Sequence, residues 1–299
     1  MKLKKLVAIV LCAFFCAGSI GVLSACSNKD ENAIYVGSKD FTENLLVGEI
    51  YALALEDAGY KVERELNIAG TLVHSAITND EIDLYPEYTG TALYSILNMK
   101  DVGNDVQTVY DIVKREYAER YDITWLKQSD LNDTNGFAIR TETAERLGIY
   151  TISDLQAKAS EIRVASQGEF ELREDGLPGL EKVYGKFNFK SIKVYDNGIK
   201  YEILKNNQAD VTPAYSTEGQ LVNTHLFTYL IDDKNFWPPY YLAPIVRNET
   251  LEKFPGIEEV LNKISDALDT ETIISLNAKV DIEKQEYEDV AREFYDSIA

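Results

Sequence analysis

The chain is poor in thiols and imidazoles, with three Cys and two His in 299 residues. Metal centres built on Cys or His are excluded by count. Basic charge is also scarce. Thirty Lys and Arg stand against 50 Asp and Glu, a formal net charge of −20, and nucleic-acid binding needs a basic face. Catalytic signatures are missing as well. The sequence holds no G-x-S-x-G elbow, no G-x-G-x-x-G, no phosphate-binding P-loop and no H-E-x-x-H. His74 and His225 lack neighbours at ligand spacing and read as packing or surface residues. Acidic pairs such as Asp232-Asp233 and Glu258-Glu259 read as solvated faces, so no enzyme is expected and no cofactor is called for.

One apolar run is present, and it is short. Lys2, Lys4 and Lys5 precede the nearly continuous apolar stretch from Leu6 to Ile20, and Leu23-Ser24-Ala25-Cys26 follows. A basic start, a short apolar segment and small residues before a cut site are the layout of a secretory signal. The run is too short and wrongly flanked to span a bilayer comfortably, and no second stretch is long enough. The Leu-Ser-Ala-Cys ending resembles a bacterial lipobox, in which Cys26 is acylated and becomes the first mature residue. Cys12 and Cys16 leave with the leader, so the mature body has no disulfide although it lies outside the cytoplasm. Its net charge is −23, because the leader takes only lysines with it. A body tethered to the outer face of a membrane is expected.

What is abundant is a globular composition, 45% hydrophobic and 27% charged, with 19 Tyr. Strands are expected at Ala33 to Gly37, Lys61 to Ile68 and Ile82 to Tyr85, with helices at Thr42 to Ala58 and near Leu72 to Thr78. Gly59 reads as the C-cap of the first helix. Helices are also expected at Asp105 to Tyr121, Ile152 to Ser160 and through most of Leu251 to Ala299, and strands at Phe137 to Arg140 and Ile162 to Ala165. Alternation of this kind implies an α/β protein with parallel strands.

The most informative feature is an internal repeat. Residues 79–89 (NDEIDLYPEYT) match residues 206–216 (NNQADVTPAYS) at an offset of 127, and Val36 to Lys39 matches Val164 to Gln167 at nearly the same offset. An interval this long is no solenoid period and fits two similar α/β lobes. In each, a Pro precedes a Tyr and is expected to stop the strand before it. Tyr88 and Tyr215 then lie past the carboxyl ends of their strands, where open α/β sheets bind ligands. Phe236-Trp237-Pro238-Pro239-Tyr240-Tyr241 adds four rings around two prolines. Rigid rings suit a cation that donates no hydrogen bonds, above all a quaternary ammonium. Lys39 and Arg173 are cations able to hold a ligand carboxylate.

These residues resemble the substrate-binding lipoproteins of ABC importers for glycine betaine, choline and carnitine, the ProX/OpuC type. The resemblance runs over residues 34–299. It rests on Gly37 to Glu43 (GSKDFTE), Asp83 to Thr91 (DLYPEYTGT), Arg173 with Asp175 to Pro178, Pro213 to Thr217 (PAYST), and Asp232 to Lys234 leading to Pro238-Pro239-Tyr240.

The resemblance implies a two-lobed type II periplasmic-binding-protein fold with a ligand cleft between the lobes. Residues 1–25 would be the signal peptide and 26–33 a lipidated tether; 34–134 with 242–299 would form the first lobe and 135–241 the second. It further implies a cage of Tyr88, Tyr215 and Tyr240 with Asp133 as an acidic member, and Lys39, Thr91 and Arg173 at the ligand's polar end. The family usually carries a fourth cage Tyr where this chain has Asn135. A missing ring and an added amide point to a larger betaine with its own polar group, and family members that import ergothioneine are an alternative reading. The interval from Tyr215 to Tyr240 is one residue longer than usual, so Tyr241 could take the place of Tyr240. A monomer that passes a quaternary-ammonium ligand to a membrane permease is expected. The competing readings are an enzyme or a signalling lipoprotein on the same scaffold.

Overall fold

The computed structural model describes residues 29–70, 72–99, 102–172 and 175–299. The leader, Cys26 and Arg173 lie outside the described residues.

Two five-stranded sheets form the frame. The first is built from β1 (Ala33–Lys39), β2 (Lys61–Ile68), β3 (Leu84–Tyr88), β4 (Ile123–Trp125) and β10 (Leu242–Arg247), in the order β2-β1-β3-β10-β4. The second is built from β5 (Asn135–Arg140), β6 (Arg163–Ser166), β7 (Ser191–Val194), β8 (Val211–Tyr215) and β9 (Phe227–Tyr229), in the order β7-β6-β8-β5-β9. The two orders superpose element for element. In each sheet the central strand pairs parallel on one side, Val36 with Leu84 and Val164 with Val211, and antiparallel on the other. The 127-residue repeat therefore marks the two central strands, β3 and β8.

The repeat extends to a carboxylate before each central strand. Asp83 accepts the Tyr35 N–H through Oδ2 at 2.7 Å, and Asp210 accepts the Arg163 N–H through Oδ2 at 2.9 Å. Their carbonyls take the N–H of Arg247 at 3.0 Å and of Arg140 at 2.9 Å. Each Asp thus locks the start of the parallel strand on one side and the end of the antiparallel strand on the other.

Helix α1 (Thr42–Asp57) follows β1. Leu46, Val47, Ile50, Tyr51 and Leu55 have no exposed surface, and the burial encircles the helix. A helix apolar on every side needs cover on every side. The sheet covers one face of α1, and the C-terminal helices over 257–298 cover the other. Each such buried aliphatic side chain contributes about 1.5–3 kcal/mol. The helix ends as the sequence indicates. Gly59 has φ +90°, its N–H reaches Glu56 O at 2.9 Å, and the Tyr60 N–H reaches Leu55 O at 3.0 Å. That is the paired bond pattern of a Schellman cap, which a left-handed residue makes possible.

The prolines behave differently from expectation. Pro86 and Pro213 do not stop their strands; each lies inside one, and Tyr88 and Tyr215 are the last strand residues. Pro86 faces Pro244 across the β3–β10 ladder. Neither has an N–H, so the strands meet there at a pair that needs no cross-strand bond. Their carbonyls turn outward instead, Pro86 O to Asn44 Nδ2 at 2.9 Å and Pro244 O to the Leu126 N–H at 3.0 Å. Pro213 O is likewise taken by a side chain, Lys200 Nζ at 3.2 Å. A second departure concerns the 236–241 run. Phe236 and Trp237 pack into the core of the second sheet beside Phe137, so only part of that run is left to present rings elsewhere.

The chain passes between the sheets twice, at 126–134 and at 230–241, and the two crossings pair with each other. Asn132 bridges Tyr241 antiparallel, the Leu242 N–H donates to Leu131 O at 3.0 Å, and the Asp133 N–H donates to Tyr240 O at 3.1 Å.

Asp210 provides a test of the strand lock. Burial alone would raise its carboxyl, but the Arg163 guanidinium and N–H outweigh burial and hold it below the usual carboxylate range. The stability it supplies is present above the unfolded carboxyl value and is lost as pH falls through the depressed one. We expect Asp210→Asn to destabilise the protein by about 1–3 kcal/mol at pH 7. In thermal melts, the gap to wild type should close below about pH 4. A gap that persists unchanged in acid would show that the charge of Asp210 plays no part.

Candidate functional site

The carboxyl ends of β1 and β3 converge on a group of buried charges. Lys39, the last residue of β1, forms an ion pair with Glu87 of β3, and both side chains are buried. Glu87 also accepts the Tyr85 hydroxyl at 2.8 Å and the Tyr88 N–H at 2.7 Å, so its lone pairs are filled from three directions. A buried ion pair is tolerated only with such additional bonds. The Lys39 ammonium stands 5.0 Å from the centroid of the Tyr88 ring. On the rim, the Phe41 ring lies 6.1 Å from that of Tyr88.

Tyr88 is only 3% exposed, and its hydroxyl donates to Glu43 Oε1 at 2.7 Å. Glu43, in the first turn of α1, is itself buried and takes Asn277 Nδ2 at 3.3 Å through its other oxygen. Asn277 also donates to Thr217 O at 2.8 Å, and the Thr217 hydroxyl donates to Asp133 Oδ1 at 2.7 Å. The network therefore runs from the first sheet through a C-terminal helix to the segment after β8, and ends on a carboxylate of the first crossing. Burial raises the Glu43 carboxyl despite its donors. Burial first, and then the charge of Glu43, push Asp133 well above the ordinary range. Two carboxyls that repel each other favour a neutral form.

The second lobe presents a cavity of about 660 Å³. Its wall includes Asn135, Gln167, Lys200, Tyr215 and Trp237. Asn135 opens β5 directly opposite Tyr215 in the ladder, so the two side chains share one region of the wall. Tyr215 is 46% exposed, in contrast to Tyr88. Lys200 is buried, with Nζ 6.0 Å from the Tyr215 ring centroid. Each strand-end tyrosine thus has a lysine ammonium of the protein's own near its ring.

Tyr240 sits on the second crossing, with its N–H bonded to Asn132 Oδ1 at 2.8 Å. Its ring covers Gly90 so closely that a Cβ at that position would lie 2.7 Å from it. Tyr241 is held differently, its backbone bonded to Thr89 in both directions at 3.0 Å. Thr91 is half-buried in the single turn Thr89–Thr91, which runs on into a π-helical turn over Ala92–Ile96. Such turns are frequent at functional sites.

The structure therefore gathers Lys39, Tyr88 and Asp133 into one network, puts Asn135 and Tyr215 on one cavity wall, and sets Tyr240 over the turn that carries Thr91. Sequence reasoning missed Glu43, Glu87 and Lys200, and Glu218, whose carboxylate pairs with Lys200. The match of Lys39 with Gln167 within the repeat was a signal, since Gln167 does line the cavity. His74 packs edge-on against Tyr117 and Tyr121. Among the described residues no cluster of His, Cys, Asp and Glu could hold a metal ion, and no helix is long and apolar enough to cross a membrane.

The raised Asp133 carboxyl has a measurable consequence. An acid whose folded value lies above its unfolded one costs stability above the folded value, and that cost vanishes below the unfolded one. Asp133→Asn keeps the Thr217 bond and removes the charge. It should raise the melting temperature at pH 7–8, by about 2–4 °C for each kcal/mol recovered. The gain should fade as wild type protonates toward pH 4, near the ordinary Asp value of about 3.9. A lower melting temperature for the variant across this range would contradict the assignment.

Residues 32–297 match the family described as the substrate-binding domain of ABC-type glycine betaine transport systems. The chain is 34% identical to the glycine-betaine-binding protein of Pseudomonas aeruginosa, covering 93% of this chain and 91% of that protein. It is 33% identical to the carnitine transport binding protein OpuCC of Listeria monocytogenes, over 91% of this chain and 90% of the relative. It is 29% identical to the ergothioneine transport permease/ergothioneine binding protein EgtU of Helicobacter pylori, over 90% of this chain but 48% of that longer protein. Among solved structures, a glycine betaine/carnitine/choline ABC transporter protein aligns with a TM-score of 0.82 and 25% identity, over 88% of this chain and 98% of its own. The relatives are substrate-binding proteins of transporters, and by sequence and by two-lobed fold this chain belongs to the family of substrate-binding proteins of osmoprotectant-type ABC importers.

Proposed function

We propose that the protein captures a quaternary-ammonium compound of the glycine betaine, choline or carnitine class outside the cytoplasm and delivers it to the permease of an ABC importer, without catalysis. The observation that carries this reading is the pair of tyrosines ending the equivalent strands β3 and β8, each with a lysine ammonium close to its ring. The protein itself places cations at these faces, and a trimethylammonium group would be drawn to the same quadrupoles.

In this assignment Tyr88, Tyr215 and Tyr240 supply ring faces, and Asp133 is the acidic group beside them whose ionised form a bound ammonium would favour. Lys39, Thr91 and Arg173 hold the ligand's polar end. Tyr240 rather than Tyr241 is the third ring, because its side chain reaches the turn after β3. Asn135 supports a second reading, a larger betaine such as ergothioneine. Its amide has no hydrogen-bond partner among the described residues, and the cavity beside it far exceeds a trimethylammonium group in volume.

Calorimetric titration with glycine betaine, choline, carnitine and ergothioneine tests the reading. At least one should bind, and Tyr215→Ala should weaken it by about 1–2 kcal/mol while Tyr215→Phe costs less, since the π face survives. Tyr88→Phe should cost more than Tyr215→Phe, because the Tyr88 hydroxyl is a donor to buried Glu43. No binding by any of the four, or equal affinities across the variants, would overturn the assignment.

We further propose that Cys26 carries the lipid anchor and is the first mature residue. Mass spectrometry of membrane-extracted protein should find an N-terminal diacylglyceryl cysteine. Intact residues upstream of Cys26 would refute this.

A further inference from the structure

Lys200 opens a short helix (Lys200–Lys205) on the cavity side of the second sheet. Its side chain is 4% exposed, an unusual position for a lysine. Two acceptors hold the ammonium, Glu218 Oε1 at 2.5 Å and Pro213 O at 3.2 Å. An ammonium carries three donors. The third has no hydrogen-bond acceptor among the described residues. Two rings stand near it, with the Tyr201 and Tyr215 centroids at 5.5 and 6.0 Å.

Glu218 is placed to hold Lys200 rather than to need it. It also accepts the Tyr201 hydroxyl, so its charge is spread over two donors. The arrangement parallels the first lobe, where Glu87 takes Lys39 and the Tyr85 hydroxyl beside Tyr88. The two differ in access. Lys200 lines the cavity together with Asn135, Gln167 and Tyr215, whereas Lys39 does not line it.

We propose that Lys200 is a further ligand-binding residue, whose remaining N–H takes a carboxylate oxygen of a quaternary-ammonium ligand seated against Tyr215. This rests on the function proposed above and deepens it, since it makes the preferred ligand a zwitterion rather than an ammonium alcohol. A charge-assisted bond to a carboxylate is about twice as strong as one to a neutral oxygen. Lys200 thereby favours glycine betaine and carnitine over choline.

The test is calorimetric titration of wild type, Lys200→Met and Lys200→Gln with glycine betaine, carnitine and choline. Lys200→Met should weaken the better-binding of the two carboxylates about tenfold while choline changes by less than about threefold. Lys200→Gln, which keeps a donor for Glu218, should show the same bias to a smaller degree. It carries the test if the Met variant does not fold. A carboxylate affinity that does not change, or losses of equal factor for carboxylates and choline, would make Lys200 a prop for Tyr215 and overturn the inference while leaving the proposed function standing. Wild type binding none of the three ligands would overturn this inference, and silence toward ergothioneine as well would remove the proposed function itself.

Discussion

The cleft region depends on one constraint: the buried charges that flank its tyrosines are held by partners within the protein. Lys39 has Glu87, Lys200 has Glu218, and Glu43 has the hydroxyl of Tyr88 and the amide of Asn277. A quaternary ammonium has no N–H to offer, so it cannot complete a carboxylate's hydrogen bonds in the way a protein donor does. A site for such a ligand must therefore settle its own polar groups first and present ring faces afterwards. This explains why the tyrosine hydroxyls near the site point into the protein. Tyr85 and Tyr88 donate to buried carboxylates, and Tyr201 donates to the half-buried Glu218.

The repeat was legible because it records strand geometry, and strand geometry constrains sequence locally. Asp83 and Asp210 serve as identical locks, and Tyr88 and Tyr215 end identical strands. The cap at Gly59 was legible for the same reason, since a left-handed turn leaves a local mark. The prolines were misread because the rule applied to them considers one strand alone. Whether a proline stops a strand depends on what lies opposite, and opposite Pro86 lies Pro244, 158 residues away in sequence. The carboxylates that hold the site lysines and Tyr88 were not legible either. Glu87, Glu218 and Glu43 are ordinary acidic residues in a chain with 50 of them, and only folding selects which three take a tyrosine hydroxyl.

Two rings of the aromatic run illustrate the limit of composition as a guide. Trp237 adjoins a proline just as Tyr240 does, yet it and Phe236 pack into the second core. The Trp237 indole N–H donates to Asp175 O at 2.8 Å and fixes that loop. Which rings of the segment face the core becomes visible only once its last residues are seen to pair with residues 131–133.

The paired crossings also relate the lobes to the site. Asp133 and Tyr240 are bonded to each other through their backbones, so the hinge itself carries both a carboxylate and a ring. Tyr88 and Tyr215 belong to the sheets on either side. A rotation about the crossings would move these two rings relative to a pair that stays fixed, which is the arrangement a hinge closure requires. That rotation is restrained by side chains. Thr217 holds Asp133 from the second lobe, Asn277 holds the Thr217 carbonyl from a C-terminal helix, and Gly219 lies so close to Ala278 that a Cβ there would meet its backbone at 2.6 Å. A rotation that parted the lobes would strain the Asn277–Thr217 bond, and a ligand that touched Tyr88 and Tyr215 at once would favour the conformation in which it remains intact.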